Sequence, residues 1–389
     1  RSVARKPTLH SCLHIMYLRS DLVASAAVIA VSFFVGLQPT VGLSGHKISF
    51  ASGSADYASR TTLQNNADVE YTAEVSVGGM KLKAVLDTGS FDVVVLSKDC
   101  DWSCGNVSLL YDNHRSNTFE EGELVAEQYY GSGSTKSLEC WEEFDAGFGK
   151  TSHQVFWKVF DADMSLLLQS SFQAIVGLGP PQSSVTVALR DAEMAEKEMA
   201  GLSFGSDDYK EMEELAHRYR DIAHHAAEQP GLVENLQLEA FSICLGRNPG
   251  SDGYFTWHDT DPQNRPNGMF RTVPVLNDTY WSASLSDVSL GPLPGSHLDE
   301  STPLGCHGTK CNVIFDTGTS LIMVPPTAMT AVQDALNRWK EISGDCTKLS
   351  QLPDLVFTIG GEKISLPPQS YVGEIVGDLR EIDPELHRF

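Results

Sequence analysis

The sequence has little positive charge for its acidic content. Its 389 residues include 28 lysines and arginines against 51 aspartates and glutamates, which gives a formal net charge of −23 at pH 7. Because phosphate groups repel such a surface, this balance argues against nucleic acid as a partner. The excess of carboxyl groups also suits an acidic compartment, where protonation of part of them would relax their mutual repulsion.

Two widespread catalytic motifs are also absent. The chain has no His-Glu-x-x-His pattern for zinc and no Gly-x4-Gly-Lys-Ser/Thr loop for phosphate. The histidines His217, His224 and His225 share one segment, but no cysteine or carboxylate pattern turns them into a metal site. We interpret these histidines as solvated, and we predict neither a metal ion nor another cofactor.

Only one long apolar run is present. It extends from Leu22 to Leu37, is interrupted by two serines and one glycine, and belongs to a segment without any charge up to Gly45. Small and polar residues follow it, as in a secretory signal. A retained membrane anchor is the alternative, since this length could nearly span a bilayer. We interpret residues 1–45 as such a leader and residues 46–67 as a linker or short propeptide.

The leader predicts entry into the secretory pathway, with secretion or a lysosome-like or vacuole-like compartment as the destination. Two N-glycosylation sequons agree with this address, Asn106-Val107-Ser108 and Asn277-Asp278-Thr279. If the leader is retained, Leu22–Leu37 would associate the protein with a membrane.

What the sequence does contain is a duplicated four-residue motif. Asp87-Thr88-Gly89-Ser90 and Asp316-Thr317-Gly318-Thr319 begin 316 − 87 = 229 residues apart, and each lies between two apolar runs. Both copies therefore predict a strand, a tight turn and a second strand. Glycine allows the sharp turn, the aspartate projects from its tip, and the threonine can hydrogen-bond laterally to fix the loop.

Two such turns can bring their carboxyl groups against a single water molecule. At close range the two groups cannot both ionise cheaply, so they share a proton and titrate as a coupled pair. The ionised partner can take a proton from the water while the protonated partner polarises a peptide carbonyl. The duplication therefore predicts peptide-bond hydrolysis without a covalent intermediate.

Five further motifs follow in a fixed order. They are Gln128–Ser134 (QYYGSGS), Phe172–Gly179 (FQAIVGLG), Phe241–Leu245 (FSICL), Tyr280-Trp281 and Leu352–Phe357 (LPDLVF). Together with the duplicated turns they resemble the pepsin-like aspartic endopeptidases, from about Tyr71 to about Tyr371. Two carboxyl groups that share one proton are the known chemistry of that family.

The resemblance implies an all-β fold, a two-lobed double barrel with an interlobe cleft. Residues 68–250 would form the N-terminal lobe and residues 251–389 the C-terminal lobe. It also implies a monomeric enzyme that needs no cofactor and binds a polypeptide substrate in extended conformation.

The resemblance assigns roles to the site residues as well. Asp87 and Asp316 would be the catalytic pair, supported by the other residues of their turns, which are Thr88, Gly89, Ser90, Thr317, Gly318 and Thr319. Tyr130, with Gly131, Ser132 and Gly133, would form a flap over the substrate, although the same residues also describe a plain hairpin turn. Cys100 with Cys104 and Cys306 with Cys311 resemble two disulfides of the family.

The chain also departs from the family. Val94 stands where the family usually has a tryptophan that hydrogen-bonds the flap tyrosine, which predicts a less restrained flap. Val187 to Gln229 is an additional segment with apolar residues at helical spacing, and it predicts a helical insertion that docks on the first lobe or binds another molecule. The helical face consists of Met212, Leu215, Tyr219 and Ile222.

At the C-terminal end, the second hydrophobic-hydrophobic-glycine strand of the family lacks a clear counterpart. Ile375-Val376-Gly377-Asp378 could be a displaced version, and the residues after it read as a charged tail. We therefore expect an incomplete C-terminal lobe, with no downstream partner for Cys346. Cys140 and Cys244 could form a private bridge or remain reduced thiols.

Two functions compete on this evidence. The first is an aspartic endopeptidase that hydrolyses peptide bonds by water activated between Asp87 and Asp316, at acidic pH. The alternative is a catalytically silent pepsin-like protein that binds peptides. Intact Asp-Thr-Gly turns favour the enzyme, whereas the incomplete second lobe favours the silent protein.

Overall fold

The computed structural model describes four short strands before residue 60 and most of the chain from residue 60 to residue 376. It describes the backbone of residues 10–13, 28–30, 35–38 and 47–50, and then residues 60–376 except 101, 106–109, 169, 247–249, 260–270, 277–278, 293, 295–300, 309–310, 325–345 and 372. Both predicted glycosylation sites, the charged tail and the side chains of Cys12 and Cys346 lie outside the described part.

Most of the described secondary structure is β-strand. The strands in chain order are β1 (His10–Leu13), β2 (Val28–Ala30), β3 (Val35–Gln38), β4 (Lys47–Phe50), β5 (Arg60–Asn66), β6 (Glu70–Val77), β7 (Met80–Asp87), β8 (Val93–Leu96), β9 (Glu120–Tyr130), β10 (Gly133–Asp145), β11 (Lys150–Asp163), β12 (Ala174–Gly177), β13 (Phe241–Cys244), β14 (Gly253–Trp257), β15 (Arg271–Pro274), β16 (Ser282–Leu290), β17 (Thr302–Gly305), β18 (Cys311–Ile314), β19 (Leu355–Ile359), β20 (Glu362–Leu366) and β21 (Gly373–Val376). The helices are α1 (Ser183–Met199), α2 (Asp207–Glu228) and α3 (Leu232–Asn235). The predicted all-β class is confirmed.

The chain divides into two compact units. The first contains Val31–Ser282 together with Ile314–Ser320, and the second contains Arg1–Ala30, Ala283–Val313 and Leu321–Phe389. Both duplicated turns therefore belong to the first unit, since the short segment around Asp316 groups with the residues around Asp87.

The first unit is built on one large mixed sheet. Its 13 described strands lie in the order β15-β4-β3-β13-β14-β5-β6-β7-β12-β8-β11-β10-β9, with a further pairing of β6 with β10. Strand β7 alternates, so that Leu82, Ala84 and Leu86 are buried while the residues between them are less so. Strand β8 is buried at all four residues, as expected for a strand covered on both faces.

The second unit contains two smaller sheets among its described residues. One has the strand order β2-β18-β16-β19-β20, with β17 paired to β16, and the other pairs β1 with β21. The predicted strands near Trp281 and Leu352 correspond to β16 and β19. The prediction of a strand directly after the second Asp-Thr-Gly turn is wrong, because residues 321–324 are irregular. Strand β21 includes Ile375 and Val376, which could have been a displaced version of the family strand, but it pairs antiparallel with β1 in a separate two-stranded sheet.

The additional segment is a pair of helices, which confirms the predicted helical insertion. Ser206 caps α2 by accepting a hydrogen bond from the backbone N–H of Tyr209, and Asp207 and Asp208 favour the same end of the helix dipole. Arg220 forms an ion pair of 2.6 Å with Glu196 of α1. The predicted apolar face of α2 is half-buried, and alanines that the pattern did not single out, Ala216 and Ala223, lie deepest.

Cysteine pairing agrees with the resemblance. The structure contains the disulfides Cys100–Cys104 and Cys306–Cys311. Cys140 is a buried thiol and not half of a disulfide, so the private bridge to Cys244 is not formed. Its β10 position packs it inside the sheet, where burial raises the pKa of the thiol to about 12.

Neither membrane-spanning helices nor metal clusters occur in the described residues. Within that part of the chain no helix combines enough length and apolar character to cross a bilayer. Over the same residues, no three histidine, cysteine or carboxylate side chains converge in a way that could hold a metal ion.

Candidate active site

The first Asp-Thr-Gly turn is held in place by strand β12 of the large sheet. Strand β12 lies between β7 and β8, parallel to the first and antiparallel to the second, with Gly177 opposite Asp87. Beyond the ladder, the N–H of Gly177 donates to the carbonyl of Asp92 at 2.9 Å and that of Gly179 to the carbonyl of Ser90 at 2.8 Å. The turn is thereby bonded along its length to the predicted Phe172–Gly179 segment.

Glycine is required where the turn crosses this strand. A Cβ atom on Gly177 would lie 2.3 Å from the backbone carbon of Phe91. No side chain fits there, so the hydrophobic-hydrophobic-glycine pattern marks a point where two backbones touch.

Each aspartate accepts the same two hydrogen bonds from its own turn. Asp87 accepts from the N–H of Gly89 at 2.9 Å and from the hydroxyl of Ser90 at 2.5 Å. In the second turn, Asp316 accepts from the N–H of Gly318 at 2.7 Å and from the hydroxyl of Thr319 at 2.5 Å. Both carboxyl groups are thus fixed in orientation by a backbone donor on one oxygen and a hydroxyl on the other.

The threonines join the two turns to each other. The backbone N–H of Thr88 donates to the hydroxyl of Thr317 at 3.1 Å, and the N–H of Thr317 donates to the hydroxyl of Thr88 at 3.0 Å. The Thr88 hydroxyl in turn donates to the carbonyl of Phe315 at 2.8 Å, and that of Thr317 to the carbonyl of Leu86 at 2.5 Å. This set of four bonds is symmetric about the two motifs and brings the aspartates together.

The carboxyl group of Asp316 affects the ionisation of Asp87. Burial raises the pKa of Asp87 well above its usual value, and the neighbouring Asp316 raises it further through its charge and a hydrogen bond between the carboxyl groups. The bonds from Ser90 and Gly89 oppose this shift without cancelling it. A proton is therefore retained on the pair at a pH where an isolated aspartate would have lost it.

The predicted flap is a two-residue hairpin. Strands β9 and β10 pair antiparallel, with Tyr130 opposite Gly133 and the turn residues Gly131 and Ser132 between them. Gly133 has φ +146°, and a Cβ atom there would lie 2.0 Å from the carbonyl oxygen of Asp163, so glycine is needed.

Tyr130 reaches from the hairpin toward the first turn. It is half-buried and packs against an apolar cluster that includes Val94, Ala126 and Trp157. Burial raises the pKa of its hydroxyl, and the charges of Asp87 and Asp92 raise it further, whereas the Thr135 hydroxyl acts in the opposite direction as a hydrogen-bond partner. Within the flap itself, Thr135 thus provides a polar contact that Val94 cannot provide.

Two acidic residues near the site were missed by the sequence interpretation. The Asp92 carboxylate accepts a hydrogen bond of 3.0 Å from the hydroxyl of Ser184 on α1, and burial raises its pKa. Glu139 on β10 is 3% exposed, and its Oε2 atom lies 3.4 Å from Nδ1 of His225. The sequence signal that could have revealed them is an acidic residue placed beside or within an apolar strand.

His225 corrects the interpretation of the three histidines. His217 and His224 are exposed, as predicted, whereas His225 is half-buried against the carboxylate of Glu139. Helix α2 brings this histidine to a buried acid from a distant strand, a pairing that helical spacing alone does not show.

One serine motif was overlooked by the sequence interpretation, and it does not belong to the site. Gly201–Gly205 reads Gly-x-Ser-x-Gly, the pattern of a nucleophile elbow. A nucleophile elbow needs a turn from a strand into a helix, whereas this motif lies in the connection between α1 and α2 with Ser203 exposed. It therefore carries no signature of a serine hydrolase.

Comparison with known proteins agrees with the geometry. The family model for eukaryotic aspartyl proteases matches residues 70–376. Pepsin A of Bos taurus is 24% identical over 325 residues, which cover 82% of this chain and 75% of the bovine one. Cathepsin D of Clupea harengus is 26% identical over 341 residues, covering 84% and 73%. Vacuolar protease A of Arthroderma otae is 26% identical over 328 residues, covering 83% and 71%.

The matched range covers most of the chain. The protein therefore belongs to the eukaryotic aspartyl protease family. The family and the names of the relatives class it among the peptide hydrolases of the aspartic type.

Proposed function

We propose that the protein is an aspartic endopeptidase in which Asp87 and Asp316 activate the attacking water. The observation that carries this proposal is the symmetric pair of turns. Each aspartate has a backbone and a hydroxyl donor of its own, and the turns are bonded to each other through Thr88 and Thr317.

The reaction follows from one shared proton. The ionised carboxylate removes a proton from water, the water oxygen bonds to the carbonyl carbon, and the protonated carboxyl group donates to the carbonyl oxygen. The carboxyl group that took the water proton then protonates the amide nitrogen, while the other carboxylate removes a proton from a hydroxyl of the resulting diol. The C–N bond breaks, a carboxylic acid and an amine leave, and the pair holds one proton again. Retention of a proton on the pair of Asp87 and Asp316 supports activity at acidic pH.

The contacts within the two turns support the roles that we propose for the other residues. Ser90 and Thr319 orient the two carboxyl groups, Gly89 and Gly318 donate backbone N–H groups, and Tyr130 covers an extended polypeptide. We propose that the enzyme acts as a monomer without a cofactor. The names of relatives such as vacuolar protease A support a secreted or vacuole-like location.

The test is cleavage of an unstructured protein by the purified full chain across acid to neutral pH. We expect activity that a statine-type inhibitor blocks and that Asp87→Asn or Asp316→Asn lowers by about 10²-fold or more. Asp221→Asn, which changes an exposed aspartate of α2, is the matched control and should keep full activity. A folded wild-type chain without activity at any pH would support the silent peptide-binding alternative.

A further inference from the structure

The buried indole of Trp157 lies between the first catalytic turn and the flap. Strand β11 runs parallel to β8, and Trp157 is directly opposite Val94. Register partners point to the same face of a sheet, so both side chains enter the same layer. Trp157 is 6% exposed and Val94 is 3% exposed.

The layer that contains Trp157 extends to the flap strand. Its apolar cluster includes Val94 and Leu96 of β8, Trp157 of β11 and Ala126 of β9. Tyr130, at the end of β9, packs against this same cluster. The Trp157 indole and the flap tyrosine therefore pack in the same apolar layer.

The polar edge of the Trp157 indole contacts the loop that follows the first catalytic turn. The Trp157 side chain hydrogen-bonds the carboxylate of Asp92, and Ser184 of α1 donates to the same carboxylate at 3.0 Å. The backbone carbonyl of Asp92 accepts the N–H of Gly177, the residue opposite Asp87. An indole needs a polar partner when buried, and here that partner belongs to the loop of the first aspartate.

We propose that Trp157 is a positioning residue that holds Tyr130 of the flap in register with the first catalytic turn. Its ring supports the tyrosine by packing, and its N–H fixes the ring to Asp92. Helix α1 contributes through Ser184, so the helical insertion takes part in the same arrangement. This inference rests on the proposed endopeptidase function, because it assigns a role in that reaction.

The test compares Trp157→Ala and Trp157→Phe with Trp257→Phe. Trp257 is an equally buried tryptophan of the same unit, 1% exposed, whose indole donates to Thr61 and which does not belong to the cluster. Trp157→Phe keeps a ring but loses the N–H, so it remains informative if the alanine variant fails to fold.

Two readouts separate positioning from stability. We expect kcat/KM to fall about tenfold in Trp157→Ala and to fall less in Trp157→Phe, with the affinity for a statine-type inhibitor falling in parallel. Hydrogen exchange of the flap, residues 125–135, should be faster in both variants than in the wild type. Trp257→Phe should lower Tm while leaving kcat/KM and flap exchange within twofold of the wild type.

The proposal is overturned if the folded Trp157 variants keep wild-type kcat/KM and flap exchange, or if Trp257→Phe produces the same losses. Flap exchange does not depend on catalysis. Faster exchange in a chain that proves inactive would retain the positioning role of Trp157 while rejecting the endopeptidase function.

Discussion

Gly89 of the first turn lies directly against the carboxyl group of Asp316. A Cβ atom on Gly89 would be 2.4 Å from Cγ of Asp316, and one on Gly318 would be 2.4 Å from Oδ1 of Asp87. Each glycine thus leaves room for the aspartate of the opposite motif. The close approach of the two carboxyl groups depends on the absence of a side chain at both positions.

Replacing either glycine should therefore damage the pair. We expect Gly89→Ala and Gly318→Ala each to lower kcat/KM at least a hundredfold, because the methyl group displaces the opposite carboxyl group. Gly201→Ala is the matched control, since its nearest contact would be an ordinary 3.4 Å. Full activity in Gly89→Ala would show that the carboxyl groups do not need this spacing.

The threonine bonds should be needed for stability as well as for activity. Thr88→Val and Thr317→Val keep the shape but remove the hydroxyl that serves as acceptor and donor, so each variant loses two of the four bonds. We expect each to cost about 1–3 kcal/mol in the free energy of unfolding. Urea titration measures the loss, and serine at either position should restore most of it. Because both belong to one network, the double variant should lose less than the sum.

Asp87 should make the protein less stable as the pH rises. Its folded pKa is raised, chiefly by burial and next by Asp316, so the folded chain binds the extra proton between the unfolded pKa near 4 and the higher folded value. The resulting stabilisation is complete below the unfolded pKa and is lost as the pH rises through the folded pKa.

Asparagine at position 87 cannot ionise and removes this dependence. Asp87→Asn should therefore exceed the wild type in Tm at pH 7, by about 2 °C or more, and lose that advantage at pH 3. Thermal unfolding at both pH values measures it, with Asp221→Asn as the exposed control. An equal difference at both pH values would contradict the raised pKa.

The contact of Glu139 with His225 should hold the helical insertion on the sheet. Oε2 of Glu139 is buried, and Nδ1 of His225 lies 3.4 Å from it as its polar partner. We expect His225→Ala to destabilise the protein at pH 7 by about 1–3 kcal/mol, since it leaves a buried carboxylate unpaired. Adding Glu139→Gln should recover much of the loss.

The effect of His225→Ala should shrink on acidification. Burial raises the pKa of Glu139, with Asp92 adding to the shift and His225 opposing it, so Glu139 becomes neutral at a higher pH than an exposed glutamate. Urea titrations at pH 7 and pH 4 measure the difference, and His217→Ala, at an exposed position of α2, is the control. A constant loss across this range would show that the carboxylate is not involved.

The parts of the fold that short sequence patterns specify were predicted well. The turns at Asp87 and Asp316, the hairpin at Gly131, the strand at Val176 and the helical insertion each depend on a local glycine, a period or a cap. Both short disulfides were expected from the family resemblance, and each joins cysteines four or five residues apart. In each of these elements the signal and the structure occupy the same few residues.

Contacts between distant strands could not be predicted from short sequence patterns. Trp157 meets Val94 only through the parallel register of β8 and β11, and Glu139 meets His225 only after a helix from the insertion docks on β10. Asp92 looked like one more polar loop residue, although Ser184 lies 92 positions away in sequence and bonds it. Register and docking are set by the whole core, so single residues in the sequence carry little sign of them.

Cys140 has a consequence for folding under oxidising conditions. Only a thiolate attacks a disulfide, and a thiol whose pKa is raised to about 12 is almost entirely protonated at physiological pH. Once its strand is buried, this cysteine can neither scramble the Cys100–Cys104 bond nor capture glutathione. Burial in the sheet would thus keep this cysteine out of wrong disulfides if the folded chain meets an oxidising environment.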